Sequence, residues 1–469
     1  MPSIAPFIES VNAFLWGWPL IILILAAGLF LTTRTGAVQF ARFGIMSRET
    51  FGRVFRRGPR AEGDITAFQA VTVALGGTVG VGNIAGVATA IALGGPGAVF
   101  WMWVSGLLGM ATKFAEVVLG LHYRKREPGQ PMIGGPMRYI EGGLGPRWKW
   151  LAMLFSLFGA LAAFGIGNMV QANACAEGMK YFGVSPWITG LVMSVAVGAV
   201  TLGGLKRIAA LVNYVTPFMV TFYMLGGLVV ILLNIGQLPG VLAQIVRLAF
   251  TPAAATGGFA GAGIMLAMRQ GITRGVFSNE AGLGSAPMAH ATAMTDHPVR
   301  QGLWGIFEVF VVTIIVCTIT AFVVLVTGQW AGGEKGATLA MQSFAQTFGV
   351  RIGFPLVVIN MVLTAYDTNL AWGFYGETCA AYLFGHGKTV RLIYQIIWLP
   401  AVVIGAVWAL DVVWGIADAL NALMAFPNLI ALFSLSGVVA ALTRGFFAGQ
   451  PYDAPGAGEA GKVAAVRAR

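Results

Sequence analysis

Charge is scarce in this sequence. Only 10% of its 469 residues are Asp, Glu, Lys or Arg, against about 25% in soluble domains. That shortage, with 57% hydrophobic residues, excludes an ordinary soluble enzyme. The formal net charge of +11 does not point to nucleic acid here, because a membrane protein collects basic residues in its cytoplasmic loops. Cysteine is nearly absent. Cys175, Cys317 and Cys379 stand in apolar runs without zinc-type spacing and are expected reduced and packed as small hydrophobes. The four histidines form no HExxH pair. His290 is the only one near a polar break, and no base or nucleophile partner for it is evident, which argues against a membrane-embedded acyltransferase or hydrolase. The sequence therefore reads as a non-enzyme with no organic cofactor. No basic region precedes the first apolar run, so no cleavable signal peptide is expected.

What is abundant is apolar length. Eleven runs of about 20 residues or more fall at 15–32, 66–94, 96–122, 150–176, 186–204, 208–234, 258–290, 300–328, 353–384, 390–409 and 411–443. The expected fold class is all-α and polytopic, with about eleven transmembrane helices. The segment 334–349 is too short and polar to span and is expected on the surface. The Gly-, Ala- and Pro-rich tail from 444 to 469 is expected to be disordered. Basic residues crowd the loops 33–65 and 123–149, and Lys206, Arg207, Arg300, Lys388, Arg391 and Arg444 fall on the same side; the other side holds only Lys180, Arg247, Lys335 and Arg351. The positive-inside rule then puts the N-terminus outside and the C-terminus in the cytoplasm.

The chain is organised around residues 75–87, LGGTVGVGNIAGV, where Gly76, Gly77, Gly80, Gly82 and Gly86 crowd into one apolar run. Each Gly costs a helix about 1 kcal/mol relative to Ala, so the helix is expected to unwind here. Unwound backbone is tolerated in a bilayer only where it lines a cavity, and interrupted helices mark the sites of secondary transporters. A close GxxxG crossing through Gly82 and Gly86 explains two of the glycines and leaves three over. The GxGxxA match in the same stretch lacks the preceding strand and soluble α/β domain that a dinucleotide loop needs. A second polar, glycine-rich stretch, SNEAGLGSAP at 278–287, follows about 200 residues later. With the first span set apart, ten remain, five and five. An odd number per half implies an inverted repeat: 1–65 as an extra helix and basic loop, 66–234 and 235–443 as the two five-helix halves, and 444–469 as the tail.

Two stretches, TVGVGNIAGVATAIALGGPGAVFWMWVSGLLGMATKFAE and RGVFSNEAGLGSAPMAHATAMTDHPVRQGL, resemble the alanine/glycine:cation symporter family, and the likeness runs over most of 66–443. The resemblance implies the leucine-transporter fold with one extra N-terminal helix. It also implies sodium-coupled uptake of a small neutral amino acid, usually alanine or glycine, across the cell (inner) membrane. Members of that family usually carry Asp where Val312 stands and a hydroxyl residue where Asp367 stands, so the ion site is where this chain departs from its resemblance.

A zwitterion needs a place for each charge. The backbone around Thr78, Gly80, Gly82 and Asn83, at the start of a half-helix, suits the carboxylate, and Asn83 also suits a local cap. Phe277, Ser278, Asn279 and Gly282, where the second broken helix opens, suit the ammonium end. Asn168, Gln171 and Asn173 form a polar patch that either lines the pocket or bonds between helices. Trp372 as a lone aromatic reads as packing; only the family resemblance places it beside the ligand. A sodium ion requires oxygens, available from helix carbonyls at Gly77 and Val79 and from Thr364, Asp367 and Thr368. Intramembrane carboxylates cost about 2.5–3.5 kcal/mol each at a span centre and so need partners. The spacing of Lys113 and Glu116 predicts a pair. Arg274 could meet Glu280 across a break, or Arg269 or Arg274 could meet Asp367, the alternative to a cation-ligand role. Glu280, which resembles an invariant family position, and Glu308 are expected to support the site. Proton coupling through Asp367 and a channel for a small polar solute are the rival functions. The oligomeric state is not legible.

Overall fold

The computed structural model describes residues 5–50, 52, 62–127, 131–251 and 260–452. Arg53, Arg56, Arg57 and Arg60 of the 33–65 loop lie outside the described residues. The tail expected to be disordered from 444 is helical as far as Phe447, and its residues beyond Tyr452 lie outside the described ones. The chain is helical almost throughout. In order, the helices that build the bundle and flank its breaks are α1 (Ala5–Leu15), α2 (Trp18–Arg34), α3 (Ala67–Thr78), α4 (Ala85–Gly94), α5 (Gly97–His122), α6 (Lys149–Ala162), α7 (Val170–Lys180), α8 (Pro186–Thr201) and α9 (Leu205–Leu233). They continue as α10 (Leu238–Phe250), α11 (Ala260–Asn279), α12 (Ala286–His290), α13 (Pro298–Val309), α14 (Thr318–Val326), α15 (Gly336–Phe348), α16 (Val350–Phe384), α17 (Lys388–Val407) and α18 (Leu410–Phe447).

Among the described residues seven helical segments are long and apolar enough to cross a bilayer, or nine if two bent pairs each count as one span. The first pair is α1 and α2, which meet at 41°; the helix expected to begin at 15 begins at Ala5. The second pair is α3 with the helical residues from Val81 to Gly94, bent by 59°. The span expected over 186–204 is a 16-residue helix. The segment expected to lie on the surface, 334–349, is instead α15. It buries Leu339, Ala340, Ser343 and Phe344 and packs against α4 and α16. Its small and apolar residues fall on one side, which counts for more than its mean polarity.

Both expected helix breaks are present. α3 starts at a capping box, in which the Thr66 hydroxyl accepts from Gln69 N and Gln69 Oε1 accepts from Thr66 N. It ends at Thr78, before the glycine-rich turn. The second break separates α11 from α12 and carries three left-handed residues, Glu280 (φ 56°), Gly282 (φ 96°) and Gly284 (φ 80°). Glu280 is one of only two described non-glycine residues with positive φ, and such a conformation persists only where surrounding structure holds it. The two broken helices are joined at their far ends, since Ile65–Thr66, just before α3, pairs in parallel with Ala293–Met294, just after α12. Two wide π-helical turns, Ala163–Met169 between α6 and α7 and Phe310–Cys317 between α13 and α14, lie inside long spans. The second of these contacts the first break. Such turns recur at functional sites.

Candidate functional site

The glycines of the first break are explained by what stands against them. A Cβ on Gly76 would lie 2.9 Å from the Asp367 carboxyl carbon, one on Gly80 would lie 2.8 Å from the Thr368 hydroxyl, and one on Gly82 would lie 2.8 Å from the Phe277 ring. These contacts come from two helices, α16 at Gly76 and Gly80 and α11 at Gly82, so a single GxxxG crossing does not account for them. The turn itself is held by side-chain amides. Gly80 N donates to Asn83 Oδ1 (3.0 Å) and Val81 N to Gln171 Oε1 (3.1 Å). Asn83 Nδ2 donates to the Cys317 sulfur at 3.3 Å, and Asn83 O accepts from the Thr320 hydroxyl at 2.8 Å.

Beside this turn lies a cluster of oxygens from three helices. The last carbonyls of a helix have no intrahelical donor; at the end of α3, Gly76 O accepts from the Thr368 hydroxyl at 2.9 Å. The Thr216 hydroxyl of α9 lies 2.5 Å from Asp367 Oδ2 and 3.3 Å from Thr72 O. Asp367 is fully buried, and its Oδ1 is without a hydrogen-bond partner among the described residues. A buried carboxylate oxygen left in that state costs free energy unless something is bound to it. One carboxylate, two hydroxyls and two carbonyls are hard donors of the kind that alkali and alkaline-earth cations take. Among the described residues no three His, Cys, Asp or Glu side chains converge as a transition-metal set.

The second break is clamped by a carboxylate from α5. Glu116 Oε1 accepts from Gly282 N (3.0 Å), Gly284 N (3.1 Å) and Asn428 Nδ2 (2.6 Å). Backbone N–H groups on either side of left-handed glycines form a concave anion nest, and here the anion is a side chain. Asn428 also donates to Gly282 O at 2.8 Å, and Tyr139 donates its hydroxyl to Asn428 Oδ1. Glu280 turns the other way, accepting from the Ser285 hydroxyl and, at 2.8 Å, from the Trp372 indole. The expected pairs therefore re-form. Lys113 meets Glu308 (3.2 Å) and not Glu116, and Glu308 also contacts His290 Nε2 at 3.0 Å. His290, for which no partner was evident in the sequence, thus has two, because Gln301 lies 2.9 Å from its Nδ1. Arg274 pairs with Asp418 of α18 through two bonds, 3.0 and 2.7 Å, and neither Glu280 nor Asp367 receives it.

Above Gly82, Phe277 stacks on Trp414 with ring centroids 5.1 Å apart, and the Arg274 guanidinium lies 4.9 Å from the Trp414 ring centre. On the far side of this roof is a cavity of about 620 Å³ lined by α1, α4, α7, α11 and α18, with Arg269, Glu177 and Asp411 among its polar groups.

A family model described as the sodium:alanine symporter family matches residues 1–454. The chain belongs to that family. It is 46% identical over 446 residues to the sodium/alanine symporter AgcS of Methanococcus maripaludis, covering 94% of this chain and 96% of that one. It is 38% identical to the probable sodium/glutamine symporter GlnT of Bacillus subtilis, covering 91% and 87%. Among solved structures, the transporter MhsT in complex with L-phenylalanine aligns with TM-score 0.56 at 12% identity, covering 82% of this chain and 99% of that one. The manganese transporter of Eremococcus coleocola aligns with TM-score 0.52 at 15% identity, covering 81% and 76%. These two show the fold, which is of the leucine-transporter kind. The family is one of transporters and not of enzymes.

Within this symporter the residues named from the sequence divide into groups. Thr78, Gly80, Gly82 and Asn83 surround the first break, and Phe277, Ser278, Asn279 and Gly282 the second. Ser278 meets them at Cys317, whose sulfur lies 3.3 Å from its hydroxyl. Asn279 bonds to Thr313 at 3.1 Å and caps Ala281 N at 2.9 Å. Asn168 and Gln171 part company: Gln171 reaches the break, whereas Asn168 donates to Trp398 O of α17 at 2.9 Å, and Asn173 likewise bonds α17 and Trp408. Trp372 packs over Gly167 and anchors Glu280. Asp367 and Thr368 gather at Gly76, while Thr364 and Val79 line a narrow gap with Gly80 and Tyr223; Gly77 faces the Tyr375 ring. Val312 is a buried side chain in the π-helical turn. Thr216, Glu116, Asn428 and Asp418 are roles that sequence reasoning missed or misassigned. Asn428 and Asp418 were visible as polar residues inside an apolar span, but nothing in the spacing names their partners.

Proposed function

We propose that this chain is a sodium-coupled symporter that imports a small neutral amino acid, alanine or glycine, by alternating access. The observation that carries the reading is the meeting of two interrupted helices beside an all-oxygen cluster at Asp367. Backbone around Gly80, Gly82 and Asn83 receives the substrate carboxylate, and Phe277 and Ser278 at the end of α11 face its other end. The cation takes Gly76 O, the Asp367 carboxylate, and the Thr216 and Thr368 hydroxyls. The Phe277–Trp414 stack with the Arg274–Asp418 pair closes the path to the 620 Å³ cavity, which opens to the outside. The N-terminus is outside, the C-terminus cytoplasmic, and residues 66–234 and 235–443 form inverted five-helix halves in the inner membrane, as the distribution of basic residues supports. One sodium ion entering across 100 mV releases roughly 2.3 kcal/mol, and a tenfold sodium gradient adds about 1.4 kcal/mol. Together they support accumulation of several hundredfold.

The test is uptake by proteoliposomes with sodium and proton gradients imposed separately. Sodium-driven accumulation of alanine, with saturable counterflow and weak competition by leucine, is the expected result. Accumulation driven by protons alone returns the chain to a proton-coupled permease. Non-saturable flux without counterflow makes it a channel. Leucine competing as well as alanine removes the small-substrate assignment.

A further inference from the structure

α1 packs on α18 and is tied there to the helix that closes the cavity. The Trp16 indole N–H donates to Asp418 O (2.8 Å), and the Asn12 amide donates to Gly415 O (2.8 Å). From the other side of the cavity Arg269 of α11 donates to Asn12 O at 3.3 Å. Gly415 lets α1 come close, since a Cβ there would lie 2.4 Å from Ile8 Cγ2. Asn12 and Trp16 are one turn apart, as are Gly415 and Asp418, so one helical face meets another. Gly415 O and Asp418 O lie inside α18 and have a helical donor already. A carbonyl has two lone pairs, so these extra bonds do not rescue an orphan group; they fix the position of the helix. Asp418 is held twice, its carbonyl by Trp16 and its carboxylate by Arg274. Ile8, Glu9, Asn12 and Ala13 also form one wall of the cavity, so α18 cannot swing away from α11 while α1 keeps its bonds.

We propose that the bent N-terminal helix pair α1–α2 is the latch of the outer closure, with Asn12 of α1 and Trp16 at the bend as positioning residues that hold the first turns of α18 where Asp418 meets Arg274. The proposal rests on the reading above that the Arg274–Asp418 pair closes the outer path. A reporter is available directly beneath that roof. The nearest atoms to a Cβ on Gly86 would be the Trp414 ring at 3.6 Å and Arg274 Cδ at 3.8 Å, ordinary contact distances, so Gly86→Cys fits the closed state and becomes accessible when the roof lifts. The native cysteines are buried, and the parent without Gly86→Cys supplies the blank. The full-length protein in proteoliposomes, in sodium without amino acid, is labelled from outside with a membrane-impermeant maleimide. Trp16→Phe and Asn12→Ala should each raise the labelling rate about fivefold, the population shift that one lost hydrogen bond gives. Asp418→Asn should raise it as well. Because the latch acts through that pair, Trp16→Phe combined with Asp418→Asn should label no faster than Asp418→Asn alone. Labelling at the parent rate in Trp16→Phe and Asn12→Ala, with Asp418→Asn still faster, overturns the latch; so does a double variant in which the two effects multiply. An unchanged rate in Asp418→Asn removes the closure reading beneath it. Should Trp16→Phe fail to insert, Asn12→Ala, on a half-exposed helix position, carries the same test.

Discussion

Replacing Asp367 with Asn keeps the side chain's shape and one oxygen while removing its charge. The carboxylate is pressed onto Gly76, whose absent Cβ would lie 3.0 Å from each carboxylate oxygen, and the neighbouring Gly76 carbonyl is held by Thr368. A cation held by both that carbonyl and the Asp367 carboxylate would sit no more than about 4 Å from the charge, where two unit charges at an effective dielectric of 20 interact by about 4 kcal/mol. Part of this is offset, because Asn also escapes the cost of burying an ion. If about half survives, the half-saturating sodium concentration rises about thirtyfold. Asp367→Ser, which restores the hydroxyl usual in the resembling family, should fall between the two. Protonation abolishes the same charge, so the parent should need more sodium as pH falls, and Asp367→Asn should flatten that dependence. The assay is initial alanine uptake as a function of sodium at several pH values, at saturating alanine. A half-saturating sodium concentration within twofold of the parent in both variants, with an unchanged pH profile, would refute the reasoning and return Asp367 to a structural role with Thr216.

Gly82→Leu should abolish alanine binding while leaving an inserted protein, since even a Cβ would strike the Phe277 ring at 2.8 Å; unchanged substrate affinity in equilibrium binding removes the first break from the site. Lys113→Met leaves the buried Glu308 without its cation and should cost about 3–5 kcal/mol of stability. Adding Glu308→Gln should recover part of that loss, and thermal unfolding in detergent reads both, a Lys113→Met variant as stable as the parent being the contrary result.

What the sequence made legible was whatever depends on local composition. Among the described residues, apolar length gave nine of the eleven expected spans if each bent pair counts as one, and clustered glycines gave the two breaks to within a few residues. What it left dark was pairing at long range. Lys113 and Glu116 have the spacing of a helical pair, but Glu116 projects toward two backbone N–H groups that exist only because Gly282 and Gly284 are left-handed. A carboxylate goes to the donors that are otherwise unsatisfied, and which donors are unsatisfied is decided by the fold. Arg274 was equally ambiguous: Glu280 and Asp367 were its two candidate partners, and the bidentate fit to Asp418, 144 positions away, is set by the packing of α11 on α18. His290 read as solitary for the same reason. Its partners Glu308 and Gln301 lie on the next helix, where no periodicity could point them out.

The fold by itself does not choose the cargo. A manganese transporter and a transporter solved with L-phenylalanine share this architecture at 12–15% identity, and function lies in the groups a fold presents. Here the first break presents glycine backbone, hydroxyls and one carboxylate, and its geometry bears on coupling. Gly76 touches Asp367 and Gly82 touches Phe277, so the proposed ion cluster and the proposed roof press on the same unwound segment six residues apart. At no more than about 3.5 Å per residue, those contacts lie within about 21 Å of chain. A glycine-rich segment whose regular helical hydrogen bonding is interrupted between Thr78 and Val81 cannot absorb a displacement at one end as a long helix packed on all sides does, yet both ends are packed too tightly for even a Cβ. A shift of Asp367 toward a bound cation must then move the backbone that Phe277 rests on, and closing the roof over a substrate must press back on the cation's carbonyl ligands. Ion and amino acid would each favour the same arrangement of one short stretch of backbone, which is the differential interaction that coupling requires.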